Sequence, residues 1–100
     1  MPKLNYDVIQ FHVSEAREQL QQIETELLAG GKPGESQLQV WFDHAFHHLN
    51  SAWNARRTTD RQFTNSTDED FVRWGRLPRD INIAGLTARY PKSRKSKRAR

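Results

Sequence analysis

The sequence predicts an all-α protein: an antiparallel hairpin of two long helices, with a short third helix packed across its open end. Three observations predict it. Two apolar rows advance in alternating steps of four and three residues, a glycine–proline break separates them, and an acidic capping pattern opens a shorter apolar stretch beyond.

In the first row, Ile9, Val13, Ala16, Leu20, Ile23 and Leu27 mark one narrow stripe, as in a coiled-coil seam. Between them stand Gln10, Glu15, Glu18, Gln21, Gln22 and Glu24, mostly good helix formers that can face water. The spacing predicts a helix over residues 7–29. Residues 4–13 are rich in β-formers and Ser14 could serve as an N-cap, but Ile9 and Val13 stay in phase with the later stripe, so a continuous helix is expected.

Gly30-Gly31-Lys32-Pro33-Gly34 should stop that helix, since glycine suits a left-handed C-cap and proline cannot continue the ladder. So short a connection returns the chain beside itself. Ser36, with Gln39 three residues on, reads as a capping box opening a second helix over 37–58. Its row is Leu38, Phe42, Ala45, Leu49 and Ala52, flanked by Trp41, Phe46 and Trp53. The apolar arc is roughly 140° wide, more than one neighbouring helix covers. Either the third segment covers the surplus, or two chains pair into a four-helix bundle. The thin core of a two-helix hairpin favours the homodimer.

Segment 59–66 is polar and reads as a loop. Thr67 to Asp70 form an acidic capping signature, Phe71 and Trp74 share a face, and Gly75 ends the short helix. From Leu77 to Pro91 the apolar residues Ile81, Ile83 and Leu86 lack a clear period, which suggests extended chain lying on the hairpin.

A chain of 100 residues implies one domain, here 1–91, followed by a disordered basic tail at 92–100. The net charge of +4 belongs to that tail: Lys92, Arg94, Lys95, Lys97, Arg98 and Arg100 carry six positive charges and no acid. Without them, 10 basic residues face 12 acidic ones over 1–91, a net −2. There is no cysteine, which excludes disulfide scaffolds, cysteine zinc sites and cysteine nucleophiles. No apolar run is long enough to span a membrane and the N-terminus lacks the core of a signal peptide, so a cytoplasmic location is expected and the sequon Asn65-Ser66-Thr67 carries no weight.

Four groups of residues could carry chemistry. His44 and His48, one turn apart, can bind one metal ion, though no glutamate follows His44 to act as a metalloprotease base. The helical wheel puts His47 almost opposite the core, His44 on the polar side and only His48 at the core's edge, so surface or boundary histidines are the blander reading. Arg56 continues the apolar row of the second helix and should point into the seam, near His12. With Trp53, Asp70 and Trp74 they form a candidate pocket or structural junction at the open end. In the simpler reading Arg56 pairs with Asp7 or Asp70 and pins the third helix. Asp43, His47, Asn50, Asn54 and Arg57 make a polar stripe that suits an interface, or a plain solvated face. The tail can contact phosphates without sequence preference, but holds no aromatic for base stacking.

No nucleotide-binding, hydrolase or phosphate-loop motif occurs. The expected function is therefore a non-enzymatic interaction module, self-associating or binding a protein through helix faces, without cofactor and without membrane. A nucleic-acid-associated protein using the tail is the alternative. A metal-dependent or acid–base enzyme using His12, His44 or His48 is the third reading.

Overall fold

The computed structural model describes residues 3–80 and bears out the all-α hairpin. Helix α1 spans Tyr6–Leu28, α2 Glu35–Asn54, α3 Asp60–Thr64 and α4 Asp68–Trp74, with no strand among the described residues. The segment 81–91 and the basic tail lie outside the described residues. No helix among the described residues is long and apolar enough to cross a membrane.

Asn5 caps α1, its side-chain oxygen accepting from the Asp7 and Val8 amides. The helix ends at Gly30, whose φ of +90° is open to glycine and strained for other residues. The turn is short and α1 and α2 run back antiparallel, as the glycine–proline break predicts. Helix α2 departs from expectation at both ends. Gly34 is its N-cap, without a side-chain bond, so the Ser36–Gln39 capping box does not form: Ser36 already lies inside the first turn. At the other end α2 stops at Asn54, short of the expected 58, and Asn5 holds the chain that follows. Its backbone amide donates to Arg56 O at 2.6 Å, and its side-chain amide to Thr58 O at 2.7 Å and Asp60 Oδ1 at 3.0 Å.

The expected loop at 59–66 contains α3. Thr59 caps it and Gln62 returns the bond to the Thr59 amide, a complete capping box. The third predicted helix is α4, opened by a second such box between Thr67 and Asp70. The Thr67 amide, aided by Arg73, holds the Asp70 carboxyl below the usual carboxylate range.

Helices α3 and α4 cover one face of the hairpin. Val8, Ala55 and Trp74 form the buried cluster, with Phe63 packed against it. Phe63 also meets the edges of the Phe11 and His12 rings. Helix α4 is clamped by the polar stripe of α2. His47 Nε2 lies 3.0 Å from Phe71 O, Asn50 donates to Gly75 O, and Asn54 donates to both Trp74 O and Arg76 O. Asn50 and Asn54 therefore satisfy carbonyls left open at the end of α4, and His47 adds a second bond at Phe71 O.

Gly75 sits against the His47 ring, where a Cβ would overlap Cδ2. His47 cannot swing aside cheaply, since it stacks on Phe71 with centroids 3.9 Å apart. Gly75→Ala is expected to destabilise the protein by about 1–3 kcal/mol, the usual cost of overpacking. Urea denaturation followed by circular dichroism measures it.

Candidate functional site

The seam between α1 and α2 is not the seam that the apolar rows suggest. Helix α1 buries Val8, His12, Ala16, Gln19 and Ile23. At 100° per residue, Val13, Leu20 and Leu27 lie about 80° around the helix from that line. On α2, the row Phe42, Phe46, Leu49 and Trp53 is turned out by about 90° from the seam side marked by Ala45 and His48. These seven side chains keep between 37% and 60% of their surface in solvent. Because the helices are antiparallel, both rows turn to the same face. Val13, Ala16 and Leu20 share one shallow groove there with Leu49, rimmed by Arg17, Gln21 and Glu24. This open face lies opposite the one under α3 and α4.

The polar groups turned inward build a chain of imidazoles. Gln19 Nε2 donates to Gln22 Oε1 at 3.0 Å, so its oxygen faces His44 Nδ1, 2.7 Å away. His44 Nδ1 therefore carries the proton and its Nε2 accepts. His48 Nε2 lies 3.2 Å from that nitrogen and donates to it, which leaves His48 Nδ1 as an acceptor. His12 Nδ1, 3.0 Å away, donates to His48. The chain ends at His12 Nε2, a buried nitrogen without a hydrogen-bond partner among the described residues. The reverse direction would leave an N–H orphaned there, which is rarer and costlier than an orphaned acceptor. His12 is 5% exposed and Gln19 8%, so this polar seam is sealed from water at its α1 side.

Burial pushes the His12 pKa down to about 4, helped by the neighbouring His48 and His47. The His48 pKa is lowered too, first by burial and then by His44. At neutral pH both are uncharged, as the hydrogen-bond directions require.

The expected junction of His12, Trp53, Arg56, Asp70 and Trp74 separates by partner. His12 belongs to the imidazole chain and Trp74 to the buried cluster; among the described residues Asp70 bonds only within α4 and its cap. Arg56 does not point into the seam. It lies past the end of α2, stacks over Trp53 at 3.8 Å and reaches Asp80 at 3.6 Å. Its acidic partner is thus Asp80, not Asp7 or Asp70, and Asp80 also accepts from Trp53 Nε1 at 2.8 Å. That bond, with Arg56 beside it, lowers the Asp80 pKa. On the polar stripe, Asp43 stays exposed beside Phe42 and Phe46, and Arg57 lines a surface depression with Asn5 and Asp60.

Sequence reasoning put His44 and His48 on separate sides of the wheel, whereas the structure brings their Nε2 atoms together. It also missed Gln19. The signal was there: a glutamine replaces an apolar residue one step from Ala16 and Ile23. Among the described residues, no group of three or more His, Asp or Glu converges to hold a metal ion. The chain matches no known protein-family model, and no curated protein or solved structure is similar to it.

Proposed function

We propose that the protein is a non-enzymatic helical interaction module whose open face seats the same face of a second copy. The outward-turned apolar face carries this reading. Its side chains repeat at heptad intervals, Val13–Leu20–Leu27 on α1, Phe42–Leu49 and Phe46–Trp53 on α2, the repeat by which helices pair. Together they expose on the order of 700 Å², above the largest apolar patch of an ordinary monomer and near the ~800 Å² per partner of a standard interface.

The rim suits self-pairing. A two-fold axis near Leu20 sets Val13 against Leu27 of the second copy and Arg17 against its Glu24, so opposite charges flank the apolar row. Two hairpins joined this way make a four-helix bundle, with the imidazole seams away from the new interface.

Sedimentation equilibrium of the untagged full chain is expected to give twice its 11.7 kDa mass. The double substitution Leu20→Glu, Leu49→Glu should yield a monomer with an unchanged helical spectrum, because both side chains are already exposed in one copy. A wild-type chain that stays monomeric at high micromolar concentration overturns the proposal.

A further inference from the structure

The imidazole chain carries a second inference, independent of the open face. We infer that His44 and His48 form a two-nitrogen site for a divalent late transition metal such as zinc, held by their Nε2 atoms. Tetrahedral coordination at Zn–N distances of about 2.0–2.1 Å separates two ligand nitrogens by about 3.3–3.4 Å. The two Nε2 atoms already stand 3.2 Å apart, on successive turns of one rigid helix. A metal ion can thus replace the proton they share with an adjustment of a few tenths of an ångström.

The outer shell is also in place. Metal-bound histidines are usually oriented by a bond from their other ring nitrogen. His44 Nδ1 has this from Gln19 Oε1, itself held by its bond to Gln22, and His48 Nδ1 has it from His12. His44 is exposed, so an ion reaches the site from solvent. With two protein ligands, one fewer than an open catalytic zinc centre carries, the remaining positions go to water or small anions. Imidazole nitrogen favours zinc, nickel and copper over magnesium or calcium.

The proton count yields a signature that a loosely attached ion would not give. Before binding, His48 carries its proton on Nε2 and His12 on Nδ1. With Nε2 of His48 on the metal, its proton moves to Nδ1 and points at His12 Nδ1. His12 must then accept there and carry its own proton on Nε2, the costlier arrangement at that buried atom, which the metal–nitrogen bonds have to offset. No proton is released; two histidines change tautomer, one of them buried and remote from the ion. His44 keeps its Nδ1 proton on Gln19 throughout.

The experiment uses untagged full-length protein and zinc chloride. Isothermal titration should show one site per chain. His44→Ala, at an exposed position, should weaken binding at least tenfold with the helical spectrum unchanged, and Gln19→Leu should weaken it about tenfold through the outer shell. Ring-nitrogen NMR should show His12 passing from the Nδ1-protonated to the Nε2-protonated form as zinc is added. Absence of stoichiometric zinc binding overturns the inference. So does binding of undiminished strength in His44→Ala, or saturation with zinc that leaves the His12 tautomer unchanged.

Discussion

Trp74→Ala is expected to lower the unfolding free energy by about 3–5 kcal/mol, the range for an aromatic side chain removed from a packed core. Trp74 is 8% exposed and joins Val8 of α1 to Ala55 at the exit of α2. Its ring also lies parallel to Phe63 of α3, centroids 6.5 Å apart. One side chain therefore links all four helical segments. Few other large apolar residues can take up the loss, since alanines make up half of the buried apolar set among the described residues. The space left would be lined by Val8, Ala55 and the Phe63 ring, and the two small side chains cannot reach far enough to fill it. Val72→Ala, on the same short helix but 60% exposed, should cost under about 0.5 kcal/mol. Guanidinium denaturation of both variants provides the comparison. A cost for Trp74→Ala as small as that for Val72→Ala would mean that α4 is no part of the core.

Acid is expected to remove about 2–3 kcal/mol of stability between pH 7 and pH 4, through His12. The folded-state pKa is about 4 against 6.5 for the free side chain. The unfolded chain therefore binds the extra proton first, and stability falls as pH drops. The contribution is complete above about pH 6.5 and lost progressively toward pH 4. His48 adds to it in the same direction. The groups facing His12 are His48 and His47 of α2, and the Phe63 ring of α3 supplies no charge to offset a proton. Glu15 acts in the other sense, favouring the charged form of His48, but ranks behind burial and His44. Protonating His48 also turns an acceptor into a donor and breaks the chain at that link. Thermal melts with chelator present, at pH 7 and pH 4.5, measure the loss. His12→Leu should abolish most of the difference, because it removes the titrating group and fills the same buried position. An equal acid loss in that variant would place its origin elsewhere.

The hairpin was legible because its signals are local and redundant. The 4–3 spacing, Gly30 and Pro33 all describe one event, a helix that ends and returns. Helix α4 was legible for the same reason, with Thr67, Asp70 and Gly75 at its two ends. The phase of the helices was not. Periodicity identifies an apolar stripe but not what covers it, and Val13 and Leu20 face outward while His12 and Gln19 face in. A stripe meant for another surface looks the same in sequence as one meant for the core. Arg56 was misplaced by extending the α2 row past Asn54, where the helix has already ended and bonds from Asn5, distant in sequence, hold the chain. The clamping role of Asn50 and Asn54 depends on where α4 lies, which no local pattern states. The Thr59–Gln62 box was a readable signal for α3, hidden within a polar stretch. The imidazole chain needed three-dimensional pairing, since His12 and His48 are 36 residues apart.

The clamp at Asn5 explains why hydrophobicity did not decide which way α1 faces. Turning Val13 and Leu20 into the seam would require the helix to roll about its axis. Asn5 is fastened at one end of that axis by three bonds, to Arg56, Thr58 and Asp60, and a rolling helix would tear them away. The anchorage acts as a key in a shaft: it fixes the rotational setting of 23 residues from a single end, and leaves the greasy side turned to water.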